Sequence, residues 1–215
     1  MDIAIYVEGG GNTSSQKAEL RQGFDGLLRD VKALAQAKRI GWKLSCCGGR
    51  QAAYNAFINA LNTNPDVVNI LLIDSEEPAP SLTRDVIENA RLTVEHLRQR
   101  DNWDLSSAEP ERIHLMAQCM EAWIVSDPEA LVRFYGQHFT QNVLPARRNL
   151  EEEPKEDIYT KLARASSSKK ITKGEYGKIT HASRLLPMLD TNKISSRCPR
   201  FSLLVQYLTK VIEGI

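Results

Sequence analysis

The chain has 215 residues, of which 42% are hydrophobic and 26% are charged, and its formal net charge is +1. A chain of this length can bury most of its surface in one domain, so its fold does not need disulfides or a structural metal. The near-neutral charge gives no sign of nucleic-acid binding over the whole surface, although lysines and arginines cluster within residues 161–178.

The sequence predicts a protein of the cytoplasm. No run approaches the roughly 18 consecutive apolar residues of a membrane span, and the first residues lack the basic region of a signal peptide. The four cysteines form no C-x-x-C pair, which disfavours a zinc site. We therefore expect a reduced, cytoplasmic protein with no membrane partner.

Short apolar runs alternate with amphipathic stretches in the first third of the chain. Three runs predict strands that are buried on both faces, at residues 3–7, 42–47 and 67–73. Between them, apolar residues at helical spacing predict one helix through 20–34, capped by Ser14 or Ser15, and a second through 53–61. This order predicts a parallel sheet with right-handed crossovers.

The remainder of the chain is predicted to be mainly helical. Amphipathic stretches predict helices at 84–100, 114–125, 128–135, 157–165, 179–189 and 199–213. Asp127, which precedes Pro128, is expected to cap the third of these. Together the patterns predict a three-layer, Rossmann-like α/β core over residues 1–127, with a helical extension over residues 128–215 packed on it.

Acidic residues follow two of the predicted strands. Glu8 follows the first, and Asp74 and Glu76 follow the third. Functional groups gather beyond the carboxyl ends of parallel strands, and in a flavodoxin-like order the first and third strands are neighbours. Two carboxylates about 4 Å apart repel by about 4 kcal/mol at an effective dielectric of about 20, which a hard cation relieves. We predict that these three residues bind Mg²⁺ or Mn²⁺; the alternative is a set of solvated strand ends.

Glycines follow the first two strands. Gly9, Gly10 and Gly11 permit a sharp turn whose amides, with the N-terminus of the next helix, are candidates to contact a phosphate. No G-K-[ST] follows, so the turn is not a P-loop. Arg50, which follows two glycines of its own, is a candidate for a bidentate phosphate contact. Its alternative role is that of an ordinary surface arginine at the start of a helix.

A polar face is predicted on the largely buried helix at 114–125. His114, Gln118 and Glu121 would share this face and would need partners there. Glu121 is either a further metal ligand or a hydrogen-bonding partner of neighbouring loops, and the sequence leaves both open.

Basic residues surround a glycine-containing loop late in the chain. A lysine near a metal site can neutralise charge that develops during phosphoryl transfer, and Lys178 is the candidate for this role. Lys173 and His181 are candidates to contact the same phosphate. For these two residues a solvated, charged loop is the alternative interpretation.

Two of these motifs resemble those of a known family. A strand ending in Glu8-Gly9 and a later strand ending in Asp74-Ser75-Glu76 resemble the Toprim (topoisomerase–primase) domain. That domain also occurs in nucleases of the overcoming-lysogenization-defect family. The resemblance implies that the three acidic residues bind Mg²⁺. Glu76 departs from the family pattern, which has aspartate there, and its side chain is longer by one methylene group.

Longer segments resemble a small bacterial Toprim-like family of unknown function, which is often encoded beside ABC-type ATPases. These segments span most of the chain: Tyr6–Gly11, Cys47–Arg50, Leu72–Glu76, His114–Trp123 and Lys173–Lys178. The resemblance implies an ABC-type ATPase as a partner, with phage defence as a setting.

The leading hypothesis is a Mg²⁺-dependent phosphodiester hydrolase that acts on DNA or RNA. Glu8, Asp74 and Glu76 would hold the metal, while Lys178 and Arg50 would position the phosphate. The alternative from a different class is a binding or regulatory subunit of an ABC-type ATPase, in which the metal site need not be catalytic. A receiver-type phosphotransfer domain is a third interpretation, which is disfavoured because a single acid follows the first strand.

Overall fold

A computed structural model describes residues 1–214. Within them lies one parallel sheet of four strands: β1 (Asp2–Val7), β2 (Gly41–Cys46), β3 (Val67–Asp74) and β4 (Ile113–Met116). The strand order is β2-β1-β3-β4, so the first and third strands are neighbours. The predicted parallel α/β fold is therefore confirmed.

Helices connect the strands and form most of the second half of the chain. In the first half they are α1 (Ser14–Leu27), α2 (Arg29–Ala37), α3 (Arg50–Thr63) and α4 (Val86–Asp101). After β4 they are α5 (Glu121–Val125), α6 (Pro128–Tyr135), α7 (Lys155–Ser166), α8 (Lys178–Leu185), α9 (Thr191–Arg197) and α10 (Pro199–Glu213). Short 3-10 helices lie at Pro110–Arg112, Gln141–Val143, Leu150–Glu152 and Leu186–Met188.

Helices cover both faces of the sheet because strand side chains alternate in direction. On one face, Ile70 and Leu72 belong to a hydrophobic cluster that includes Phe24 of α1. On the other face, Leu71 belongs to a second cluster, which includes Phe57 of α3. Two clusters on opposite faces make the three layers that the sequence predicts.

The first helical stretch differs from its prediction. It is two helices rather than one, because Leu28 leaves the helical region at φ −93° and ψ 18°. The predicted cap at Ser14 or Ser15 is also wrong. Thr13 caps α1, and it forms a reciprocal capping box with Gln16.

The predicted helix at 114–125 is wrong over most of its length. Its first residues form β4, the next four form a loop, and α5 begins only at Glu121. Nearly every residue from Ile113 to Val125 is buried, and a short run buried on all sides has no periodicity that separates strand from helix. The shared polar face of His114, Gln118 and Glu121 is lost with the helix.

The second half of the chain packs against the sheet. Leu162 of α7 and Leu204 of α10 belong to the same hydrophobic cluster as the first face of the sheet. Asp127 caps α6 as predicted, by accepting a hydrogen bond from the Ala130 amide. The division at residues 127 and 128 stays a prediction. No helix within residues 1–214 combines the length and apolarity that crossing a membrane requires.

Candidate metal centre

Strands β1 and β3 bring two distant acids to one edge of the sheet. They pair in parallel, with Val7 opposite Leu72, so both chains leave the sheet side by side. The Glu8 amide donates to the Leu72 carbonyl at 3.0 Å, and the Asp74 amide donates to Glu8 Oε2 at 3.2 Å. The side chains of Glu8 and Asp74 therefore meet at the carboxyl edge.

Glu76 completes a cluster of three carboxylates. One oxygen each from Glu8, Asp74 and Glu76 lies within 4.8 Å of the others. Glu76 reaches the cluster from a left-handed backbone conformation, with φ 66°, and its amide donates to the Gln118 carbonyl at 2.9 Å. Such a conformation costs a residue with a side chain about 1–2 kcal/mol, so the surrounding contacts must hold it in place.

The cluster is electrostatically unfavourable by itself. Asp74 is 1% exposed, and the Glu8 side chain is 15% exposed. Burial, followed by the charge of Asp74, raises the pKa of Glu8 to about 7. Burial also raises the pKa of Asp74. Burial thus disfavours the ionised form of both carboxylates, and the repulsion between Glu8 and Asp74 adds to this for Glu8.

Each of the three carboxylates contacts a different basic side chain. Arg50 Nη1 lies 3.3 Å from Glu8 Oε2, and Lys178 Nζ lies 3.2 Å from Asp74 Oδ2. Lys155 Nζ lies 2.6 Å from Glu76 Oε1. The sequence predicts the first two as site residues, whereas Lys155 at the start of α7 was missed.

Arg50 has a more restricted role than predicted. Its Nε and Nη2 donate to the two oxygens of Asp101 at 2.8 and 2.6 Å, and its guanidinium lies 5.0 Å from the Trp103 ring centroid. Its Nη1 also donates to the carbonyl of Asp74. The fork that would bind a phosphate is already used, so Arg50 braces the carboxylate edge. Asp101, the last residue of α4, gave no signal in the sequence.

Glu121 lies near Lys178 and is fully buried. Its oxygens accept hydrogen bonds from the hydroxyl groups of Tyr159 at 2.8 Å and Tyr176 at 2.9 Å. Lys178 Nζ lies 3.7 Å from Glu121 Oε2. Burial opposes the charge of Lys178, but the carboxylates of Asp74 and Glu121 outweigh it and raise the pKa of Lys178. Of the two predicted roles for Glu121, hydrogen bonding to neighbours fits these contacts.

The glycine turn after β1, Gly9–Gly11, packs closely against neighbouring backbone. The Gly9 amide donates to the Gly48 carbonyl at 2.7 Å, so it is not free to bind a phosphate as predicted. Gly10 has φ +96°, and a Cβ there would lie 2.9 Å from the Cα of Lys17. At the N-terminus of α1, the Gln16 amide already donates to Thr13, so this amide is not free to bind a phosphate either. A phosphate contact by the Gly10 and Gly11 amides stays a prediction.

His181 and Lys173 support the loop that precedes Lys178. The Gly177 amide donates to His181 Nδ1 at 3.1 Å, which makes Nε2 the protonated nitrogen facing the Lys173 carbonyl at 3.1 Å. The predicted phosphate contact of His181 is therefore replaced by an internal role. The ammonium group of Lys173 lies 5.1 Å from the ring centroid of Phe134. Its phosphate contact stays a prediction.

Carboxylates outnumber basic side chains at this edge of the sheet. Five carboxylates face three cations, which leaves a formal charge of −2: Glu8, Asp74, Glu76, Asp101 and Glu121 against Arg50, Lys155 and Lys178. Arg100, which also contacts Asp101, is balanced by Glu77 at 3.4 Å. Hard oxygen ligands with this excess charge fit Mg²⁺ or Mn²⁺.

Fold and site together define an α/β protein whose parallel sheet carries a carboxylate cluster at its carboxyl edge. The chain belongs to the family described as a domain of unknown function, DUF4276, whose model matches residues 7–209. No curated protein and no solved structure matches the chain.

Proposed function

We propose that this protein is a Toprim-type, Mg²⁺-dependent phosphodiester hydrolase that cleaves DNA or RNA. The observation that carries the proposal is the convergence of Glu8, Asp74 and Glu76 within 4.8 Å at the carboxyl edge of neighbouring parallel strands. The acids stand in the order that the Toprim resemblance implies, with one directly after β1 and a pair at the end of β3.

The chain's own residues divide the work around the metal. Glu8, Asp74 and Glu76 would hold Mg²⁺ or Mn²⁺, which when bound would act as a Lewis acid on the phosphate and activate water for attack. Lys178, whose side chain is 37% exposed, is the basic residue that would contact a phosphate oxygen. Arg50, tied to Asp101, keeps the Glu8 side chain and the Asp74 backbone in position.

Cleavage assays with a matched pair of aspartate variants test the proposal. Single-stranded and double-stranded DNA and RNA are incubated with Mg²⁺ or Mn²⁺ and wild type, Asp74→Ala or Asp66→Ala. Asp74 is the last residue of β3, whereas Asp66 directly precedes the strand at its opposite end and is exposed. We expect Asp74→Ala to lose at least about a hundredfold in rate, because a metal ligand contributes several kcal/mol, and Asp66→Ala to retain activity. Equal cleavage by wild type and Asp74→Ala would remove the assignment.

A second candidate is a partner-gated or non-catalytic subunit of an ABC-type ATPase. It is favoured by the closure of the site, since Asp74 is 1% exposed and each carboxylate already contacts a cation of the same chain. Such a site would need a partner to open it, or would serve only in binding. This candidate would be favoured if the protein co-purifies with an ABC-type ATPase encoded beside its gene and shows no metal-dependent cleavage, alone or in the complex. Cleavage that appears only in the complex would support a gated nuclease.

A further inference from the structure

Lys178 lies between two carboxylates that have different surroundings. Its Nζ is 3.2 Å from Asp74 Oδ2 and 3.7 Å from Glu121 Oε2. Asp74 belongs to the converging carboxylates, whereas Glu121 is not one of that set within the described chain. Lys178 therefore has one anion inside the proposed metal centre and a second anion outside it.

Glu121 is held as a fixed acceptor. Each of its oxygens accepts a hydrogen bond from a tyrosine, Tyr159 at 2.8 Å and Tyr176 at 2.9 Å. The Tyr159 hydroxyl also accepts a hydrogen bond from Lys178 Nζ at 3.2 Å. The amide of Met120, the residue before Glu121, donates to Asp74 Oδ1 at 2.8 Å. This bond links the backbone beside Glu121 directly to Asp74.

In the part of the chain that the structure describes, neither of the other two cations at this edge has a second carboxylate to which it could move. Arg50 already donates to both oxygens of Asp101. Among the ion pairs within residues 1–214, Lys155 pairs with Glu76 and with no second carboxylate. Lys178 thus differs from both, because a fully buried carboxylate outside the cluster lies within 4 Å of its ammonium group.

We propose that Lys178 is an exchanging counter-ion, which moves from Asp74 to Glu121 when a divalent cation enters the carboxylate cluster and returns when the cation leaves. The inference rests on the proposed metal centre and adds its regulation. A divalent cation at Asp74 repels the neighbouring ammonium group, and a shift of about 1 Å brings Lys178 to charge-assisted hydrogen-bond distance from Glu121. The exchange keeps this partly buried ammonium paired throughout, which avoids leaving its charge without a partner.

A double-mutant cycle measured by calorimetry tests the exchange. Mg²⁺ is titrated into wild type, Lys178→Met, Glu121→Gln and the double variant. If Lys178 stays on Asp74, Glu121 acts on the metal only through its charge. Glu121→Gln then weakens Mg²⁺ binding by the same factor with or without Lys178. If Lys178 exchanges, Glu121→Gln weakens Mg²⁺ binding about tenfold more in the wild-type background than in Lys178→Met. Equal fold-losses in the two backgrounds would overturn the inference.

Tyr176→Phe is the matched control for Glu121. Tyr176 donates to the same carboxylate as Tyr159, but its hydroxyl has no contact with Lys178 among the hydrogen bonds of residues 1–214. We expect its effect on the Mg²⁺ dissociation constant to be the same in the wild-type and Lys178→Met backgrounds. Coupling of Tyr176→Phe to Lys178 as large as that of Glu121→Gln would contradict a specific exchange. Thermal unfolding in EDTA verifies that each variant is folded.

A second measurement needs no variant. Crystals of the wild type with bound Mn²⁺ are expected to show Lys178 Nζ closer to Glu121 than to Asp74. Bound Mn²⁺ with Lys178 still on Asp74 would overturn the exchange and leave the proposed metal centre intact. Failure of the wild type to bind either metal would overturn both together.

Discussion

Replacing Glu8 with glutamine is expected to stabilise the protein in EDTA at high pH while removing metal binding. The Glu8 carboxylate lies beside Asp74 and Glu76, and burial with the charge of Asp74 raises its pKa to about 7. Glutamine has the same shape and carries no charge. Its oxygen can still accept from the Asp74 amide, which lies 3.2 Å from Glu8 Oε2.

The magnitude follows from the difference between the folded and unfolded states. A rise in pKa from 4.5 to about 7 means that ionised Glu8 opposes folding by about 3 kcal/mol at high pH. The sign is that of an acid whose pKa is raised on folding. Its contribution is fully present below pH 4.5 and is lost as the pH rises through 7. Glutamine escapes this loss, so the melting temperature at pH 8 should rise by roughly 6–12 °C.

Urea unfolding in EDTA at pH 5 and pH 8 is the assay. We expect the free energy of unfolding of Glu8→Gln to exceed that of the wild type by about 2–3 kcal/mol more at pH 8 than at pH 5. Glu156→Gln, at an exposed position of α7, makes the same change in charge and serves as the control. A difference between Glu8→Gln and wild type that does not grow with pH would refute the reasoning.

Three further outcomes are expected. Arg50→Ala should lower the free energy of unfolding in urea by about 3–5 kcal/mol, because it leaves buried carboxylates without their cation. Arg98→Ala, which removes an exposed ion pair, should lower it by under about 1 kcal/mol. Similar losses in the two variants would contradict a bracing role for Arg50. Gly10→Ala should lower the free energy of unfolding by at least about 2 kcal/mol, because Gly10 has a positive φ and an added Cβ would clash with the backbone of Lys17. Gly49→Ala should lower it by under about 1 kcal/mol, because a Cβ there meets no atom within 4 Å. Equal melting temperatures for the two variants would refute this reasoning. Calorimetric Mg²⁺ affinity should be about tenfold weaker at pH 6 than at pH 8, because the metal must displace a proton from Glu8; a pH-independent affinity would argue against Glu8 as a ligand.

The proximity of Glu8 and Asp74 could be predicted because it depends only on the strand assignments and on the order of the strands in the sheet. Both acids follow continuous apolar runs, and the β-α-β-α-β order leaves little freedom besides the order of the strands. Once β1 and β3 are neighbours in a parallel sheet, their carboxyl ends coincide. Glu8 and Asp74 then lie at the same edge of the sheet, independently of where the helices begin and end.

The strand β4 could not be predicted for a physical reason. Its four residues are followed by a loop and a short helix that are almost wholly buried. The main sequence signal that separates a helix from a strand is the periodicity of apolar and polar residues, and that periodicity is absent here. Glu121 was nevertheless recognised as a residue that needs partners, although its tyrosine partners were not.

The missed site residues come from distant parts of the chain. Asp101 ends α4, and Lys155 and Tyr159 lie on α7, far in sequence from both acidic strand ends. Each is an ordinary residue of an amphipathic helix, and only the packing of that helix decides where its polar side points. Lys178 could be singled out because it follows a glycine loop, which is a local signal.

Anomalous scattering from crystals grown with Mn²⁺ tests the shared metal site most directly. We predict a peak bounded by the carboxylate oxygens of Glu8, Asp74 and Glu76 in the wild type, and its loss in Asp74→Asn. Well-ordered crystals at millimolar Mn²⁺ with no peak at this edge would contradict the site on which the proposed function depends.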